Sequence, residues 1–218
     1  MTYYSQDGQD RILEELFFKG HKNGFFMDVG AYDGKTINNT LHFEEEHQWT
    51  GINVDANKTM FDRLKVNRPK CINIYAACTE KEGIAEFIVN DGYTDAISGL
   101  KEHYDPRHLN RLNWELQYYG GSTSTVLVPT TRIETICDQY NVKRINYLSI
   151  DVEGGEMAVI QGINFDKVFI DVIGFENNYD DVSVPIVAYL ETKGYIVVPM
   201  KNKNIDIFMV HKDSEFRN

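Results

Sequence analysis

Phe25-Phe26-Met27-Asp28-Val29-Gly30-Ala31-Tyr32-Asp33-Gly34 is the stretch on which the fold turns. Its first part, Phe25 to Val29, is a short apolar run that predicts a strand buried on both faces, as in a parallel sheet. Gly30 and Gly34 then allow a tight turn and close approach of the backbone to a ligand. A helix is predicted over 36–46, with Ile37, Thr40, Leu41 and Phe43 facing inward, and a second strand over 51–55. That strand ends at Asp55, roughly 20 residues beyond the turn, where a carboxylate can accept both hydroxyls of a ribose.

The alternation continues outward from this unit. Upstream, Ile12, Leu13, Leu16 and Phe17 set a helix over 8–19. Downstream, Asn57 caps a helix over 58–67 that Pro69 stops, and a third strand covers 71–77. A short antiparallel strand is expected over 84–89 and another strand at 126–128, followed by a helix over 131–140. Strands over 145–150 and 168–175 alternate with helices over 156–162 and 185–193. Segments 195–199 and 205–211 read as a closing antiparallel pair. The expected fold is α/β, a mostly parallel sheet covered on both faces. Ligands of such sheets bind beyond the carboxyl ends of the strands. Residues 90–125 are polar, aromatic and weakly periodic, and read as an insertion over the site within a single domain of residues 1–218.

Composition narrows the chemistry. The 218 residues are 42% hydrophobic and 25% charged, ordinary for a folded chain. With 33 acidic against 22 basic side chains the net charge is −11, which disfavours nucleic acid and anionic membranes as partners. No run of about 20 apolar residues predicts a membrane span. Met1 to Phe18 lack the pattern of a signal peptide. Cys71, Cys78 and Cys137 show no zinc-ligand spacing, so no structural zinc is expected, and a reducing, cytoplasmic compartment fits.

The turn also discriminates between nucleosides. A dinucleotide site needs Gly-x-Gly-x-x-Gly so that a pyrophosphate can sit on a helix N-terminus. Here the pattern is Gly30-x-x-x-Gly34, with Asp28 before the turn and Asp33 inside it. Two carboxylates repel a pyrophosphate and attract the ammonium and sulfonium of S-adenosylmethionine. A second signal is Asp151-Val152-Glu153-Gly154-Gly155-Glu156, three carboxylates at the end of a core strand. Uncompensated buried charge is costly, so Asp151 and Glu153 read as site residues. Glu156 reads equally well as an acid in the first turn of a helix. A third signal is Glu176-Asn177-Asn178 after the following strand. Asp151, Glu176 and Asn177 form a candidate oxygen-ligand set for Mg2+.

These segments together resemble the FkbM family of S-adenosylmethionine-dependent methyltransferases. The likeness runs from Ser5-Gln6-Asp7-Gly8-Gln9-Asp10 through Asn23-Gly24-Phe25 to Gly34, Asn39-Thr40, Phe43-Glu44, Trp49-Thr50-Gly51, Asn67-Arg68, Ala76-Ala77-Cys78 and Asp151 to Glu156, ending at Gly194-Tyr195. This chain departs from the family at Asp55-Ala56-Asn57, where Glu-Pro or Glu-Ala-Asn is usual, and at Cys78-Thr79. The resemblance implies a class I methyltransferase (Rossmann-like) sheet of seven strands in the order 3-2-1-4-5-7-6, with strand 7 antiparallel. It implies cofactor contacts at Gln6, Asp28, Gly30, Ala31, Tyr32, Asp33, Asn39, Asp55, Ala56, Asn57, Ala77, Cys78 and Asp151. It implies methyl transfer to an oxygen, commonly of a sugar or another hydroxylated small molecule.

Removing the hydroxyl proton calls for a base. Asp151 and Glu153 are the leading candidates, then Glu176, with His103 and His108 expected to be solvated loop residues. Tyr93, Tyr104, Trp114, Tyr118 and Tyr119, with Arg107 and Arg111 between them, suit recognition of a sugar-like acceptor. The exposed insertion could also support a homodimer. Two alternatives remain open. A nicotinamide or nucleotide-sugar oxidoreductase would want a Tyr-x-x-x-Lys relay, and Tyr140 with Lys143 has the wrong spacing. A non-catalytic binding module would need no such set of acids.

Overall fold

The computed structural model describes residues 1–199 and 206–217. Its main sheet is built from β1 (Phe25–Val29), β2 (Thr50–Asp55), β3 (Ile72–Tyr75), β8 (Arg144–Ile150), β9 (Phe169–Phe175), β10 (Tyr195–Val197) and β11 (Ile207–His211). The spatial order is β10-β11-β9-β8-β1-β2-β3. All neighbours are parallel except β11, which runs antiparallel to both β9 and β10. Counting only these seven strands in chain order, this is the expected 3-2-1-4-5-7-6 arrangement. Ile205, expected to open the last strand, lies outside the described residues.

Side chains alternate across the sheet. Met27, Ile52, Leu148, Ile173 and Met209 stand in register across five strands and fill one core. Phe26, Tyr147, Val172 and Phe208 face the other way, into a second core. There they meet Leu13 of α1 (Gln9–Leu13), Phe17 and Phe18 of the π-helical turn Glu14–Phe18, Phe43 of α2 (Leu41–His47) and Trp49. The remaining helices are α3 (Lys58–Asn67), α4 (Pro106–Tyr119), α5 (Ile133–Gln139), α6 (Glu156–Gln161) and α7 (Asp180–Thr192). Among the described residues no helix is long and apolar enough to cross a membrane.

Several boundaries differ from the sequence reading. Residues 36–40 form turns rather than the first turn of a helix, because the Asn38 and Thr40 side chains bond to the buried Asp28. Pro185 lies inside α7 rather than at its start. The larger difference is a second sheet of β4 (Ala77–Cys78), β5 (Gly83–Asp91), β6 (Gly99–Leu100) and β7 (Ser122–Thr131), ordered β4-β7-β5-β6. The third strand therefore ends at Tyr75, and Ala77-Cys78 pairs with Thr130-Thr131 instead. Most of the expected insertion is regular: a 3-10 turn Gly92–Ile97, β6, a second 3-10 turn Lys101–His103 and α4, which Asp105 caps through the Arg107 amide.

Candidate active site

Two connected chambers open at the carboxyl ends of β1, β2, β8 and β9. The inner one measures about 590 Å³ including its mouth and is lined by Asp55, Ala56, Asn57, Ala77, Cys78 and Phe87. The outer one, about 1640 Å³ on the same basis, is lined by Gln6, Ala31, Asn39, Arg111, Glu176 and Asp206. Gly30, Tyr32, Ala96 and Asp151 belong to both walls.

The first turn is built by chain packing. Gly30 sits at φ +85°, and a Cβ on it would fall 1.6 Å from the carbonyl oxygen of Asp151. The amides of Gly30 and Ala31 both donate to Val54 O, which locks the turn onto β2. Gly30→Ala is therefore expected to cost about 1–2 kcal/mol for the left-handed backbone alone, with the collision adding more. A fall in the denaturation midpoint reads this, and an unchanged midpoint would contradict the geometry. Gly34 is required differently: a side chain there would strike Leu64 and Arg68.

Asp55 is the best-defined group of the inner chamber. Its Oδ2 accepts from the Tyr32 amide at 2.8 Å and its Oδ1 from the Asn57 amide at 2.7 Å. Each oxygen keeps a second lone pair. Burial pushes its pKa up to about 7 despite those two donors. Asn57 spends its side-chain oxygen on the amides of Thr59 and Met60, capping α3. Cys78 is buried, which pushes its thiol up to about 12 and keeps it protonated.

Asp28 has a scaffold role. Its Oδ2 accepts from Asn38 Nδ2 at 2.9 Å and Thr40 Oγ1 at 2.8 Å, fixing the loop under the outer chamber. Burial raises its proton affinity, opposed chiefly by Arg68. Arg68 is wholly buried and donates to Glu44, to Gly34 O and Asn38 Oδ1 at 3.1 Å each, and to Thr40 Oγ1 at 3.2 Å. Asp33, expected at the cofactor, lines neither chamber. It caps its own turn through the amides of Lys35 and Thr36, because a carboxylate at this point in a turn reaches the following backbone first.

The outer chamber is acidic. Asp151, Glu153 and Glu176 each bring one oxygen within 4.8 Å of the others. Asp151 is open to the chamber yet surrounded by protein on its remaining sides. That setting raises its pKa well above the usual carboxylate range, with Glu153, Asp206 and Glu156 adding to it. Glu176 is raised in the same way, by burial and then by Asp151 and Glu153. Glu153 holds a left-handed backbone at φ +61°, a strained conformation for a side-chain-bearing residue. Glu156 holds this loop by accepting from the Val152 amide at 3.3 Å and the Gly154 amide at 3.1 Å. It is thus both a first-turn acid of α6 and a loop clamp. Asn177 lines the same chamber, and its Oδ1 is buried without a hydrogen-bond partner.

The insertion supplies the roof. Tyr32 donates to Asp95 at 2.7 Å, joining the turn to the insertion. His108, expected in solvent, is buried, with Nε2 2.9 Å from Glu153 Oε2, because α4 lays it over the strained loop. His103 packs against Gly155. Tyr104 is buried and donates to Ile97 O, and Arg107 pairs with Asp105 and Asp181, so both are structural. Tyr93 lines the outer chamber and stacks on Tyr119 at 4.1 Å, while Trp114 and Tyr118 stack at 5.4 Å on the exposed face beyond. Asp206, Asp95 and Glu115 escaped the sequence reading, since no local motif marks them. Arg68 was visible only as half of the Asn67-Arg68 pair.

A family model described as the methyltransferase FkbM domain matches residues 28–197. Among solved structures, the methyltransferase FkbM from Methylobacillus flagellatus KT is 10% identical and superposes with TM-score 0.52, covering 87% of this chain and 44% of its own. The METTL16 methyltransferase domain is 10% identical with TM-score 0.51, covering 92% of this chain and 64% of its own. The N-terminal domain of human METTL16 is 9% identical with TM-score 0.50, covering 91% and 66%. This chain thus spans less than two thirds of the first two structures' lengths. At these identities the structural likeness is one of fold. Comparison with curated proteins gives no match.

Proposed function

The chain belongs to the FkbM methyltransferase domain family and so to the S-adenosylmethionine-dependent methyltransferases, and from that premise we propose that it methylates a hydroxyl of a small, sugar-like molecule. Membership sets aside the oxidoreductase and the non-catalytic module. The observation that carries the reading is the wall shared by the two chambers at Gly30, Tyr32 and Asp151. A donor whose nucleoside lies in the inner chamber and whose amino-acid end reaches the outer one meets its acceptor beside that wall.

The residues suit the donor. Asp55 has two free lone pairs for a ribose, and Ala77 and Cys78 offer an apolar wall for a purine. The acids at the junction favour a cationic centre. Gln6, Ala31 and Asn39 would contact the amino-acid end of the cofactor, with Asp28 fixing the loop that carries Asn39. When bound, S-adenosylmethionine supplies an electrophilic methyl group on sulfur. Asp151, Glu153 and Glu176 stand where the acceptor's proton must leave. Burial and then charge repulsion raise the proton affinity of Asp151 and Glu176, which brings a carboxylate closer to the range of an effective base. Tyr93, backed by Tyr119, offers a ring face for a sugar, and Arg111 of α4 lines the same chamber.

A second reading rests on Asn177. Its unpartnered Oδ1 lines the same chamber as Asp151 and Glu176, and the three together make an all-oxygen set that suits Mg2+. These residues would then hold the ion, whose chemistry would be to acidify the acceptor hydroxyl.

Calorimetric titration tests the donor. Micromolar binding of S-adenosylmethionine and none of NAD is expected after chelator treatment. Loss of turnover on chelation and its return with Mg2+ would favour the metal reading over the carboxylate base. Binding of NAD, or of neither, would overturn the assignment.

A further inference from the structure

Away from both chambers, beside the second core, three side chains converge, each with one buried atom that has no hydrogen-bond partner. Glu14 begins the π-helical turn, and His42 and His47 lie on α2. They are 7%, 0% and 4% exposed. One ligand atom from each lies within 4.8 Å of the others. Glu14 Oε2, His42 Nε2 and His47 Nε2 are all buried without a hydrogen-bond partner.

The tautomer of His42 sharpens this. Its Nδ1 is 2.7 Å from the carbonyl oxygen of Thr2. A carbonyl can only accept, so Nδ1 carries the hydrogen and Nε2 of the neutral ring is a bare lone pair. Glu14 is oriented likewise: its other oxygen, Oε1, accepts from the Gly20 amide at 2.7 Å. Outer hydrogen bonds of this kind commonly orient the ligands of a metal ion. His47 Nε2 and Glu14 Oε2 are 3.3 Å apart. Tetrahedral zinc, with bonds of about 2.0–2.2 Å to nitrogen and oxygen, asks for roughly 3.4 Å between ligand atoms. The single turn of π-helix that presents Glu14 is a local irregularity of the sort found at functional positions.

We propose that Glu14, His42 and His47 form a zinc site, with a water in the fourth position. Two imidazoles and one carboxylate are a common ligand set for this ion. The site pins the N-terminal segment onto α2: Glu14 follows α1, and His42 holds Thr2. Between them lie Gln6, Asp7 and Gln9, which line the outer chamber. The zinc therefore keeps part of the outer chamber's wall in place. No cysteine takes part, so the cysteine count gave no sign of it.

The test is metal analysis of the full chain, with the thermal midpoint followed before and after chelation. One equivalent of zinc is expected, retained in Asp151→Asn and lost in both Glu14→Gln and His47→Gln. Chelation should lower the midpoint and zinc should restore it. If the histidine variant does not fold, X-ray absorption at the zinc edge of the unmodified protein decides, since two imidazoles in the shell support the site. Failure of the unmodified protein to hold zinc, retention that Asp151→Asn abolishes, or an all-oxygen shell would overturn it.

Discussion

Replacing Asp151 with asparagine should lower kcat for methyl transfer by about 10²–10⁴-fold, the usual contribution of a general base, while changing the affinity for S-adenosylmethionine far less. The asparagine fills the same space but cannot take a proton. The pH profile adds a readout that a purely structural role would not produce. Activity that needs an ionised carboxylate rises with pH and is lost as pH falls through its pKa. In this cluster that fall should lie well above the ordinary carboxylate range, because burial and then mutual repulsion raise both Asp151 and Glu176. The cluster titrates as a unit, so the midpoint belongs to the group. In Asp151→Asn the largest charged neighbour of Glu176 is gone. The acid limb of the residual activity should therefore move to lower pH. A variant with full kcat, or an unshifted limb, would remove Asp151 from the proton path.

The second large effect is expected at Asp55. Hydrogen bonds to a charged group contribute about 1.5–3 kcal/mol each. Losing two ribose hydroxyls in Asp55→Ala should weaken cofactor binding by about 10²–10⁴-fold at pH 8. The unmodified protein should also show a pH dependence of its own. Burial puts Asp55 at about 7, so below that pH the free site is protonated. Two incoming hydroxyl donors favour the ionised form, so binding must expel the proton. Affinity should then fall by about tenfold per pH unit below 7 and level off above it. Calorimetry across pH 5–8 in buffers of different ionisation enthalpy measures both the fall and the proton released. A pH-independent dissociation constant would mean that Asp55 does not carry the ribose.

What could be read from the chain follows the range of the forces involved. The buried strands announce themselves because a parallel strand covered on both faces is a near-continuous apolar run, broken only by Asp28 in Phe25 to Val29 and by Asn146 and Ser149 in Ile145 to Ile150. Their order was implied only by the resemblance to the FkbM family; alternation alone gave a mostly parallel sheet. Asp55, Asp151 and Glu176 were legible for the same reason: each ends a core strand, and the topology brings strand ends together. The cores of β5 and β7 were legible at 84–89 and 126–128, but their length and their pairing as a second sheet were not. β7 is exposed over most of its length and carries no alternation of burial. Its partner β5 is separated from it by α4, so the pairing is tertiary. The outward-facing Ile84 and Leu127 are apolar, which hid the pattern further.

The sequence by itself determined the seven-stranded sheet, the family and the acids at the strand ends. Hydrophobic periodicity and glycine turns are local, and the family pattern lies in residue order. Only the tertiary structure decided how those acids are used. It turned Asp33 away to cap its own turn, tied Asp28 to Asn38 and Thr40, buried His108 against Glu153, and brought Asp206 to the outer chamber. It also gathered Glu14, His42 and His47 into one buried cluster. The physical reason is common to all of them. A polar side chain's role depends on which donors and acceptors remain within about 3 Å once the chain has closed, and those neighbours come from distant parts of the sequence.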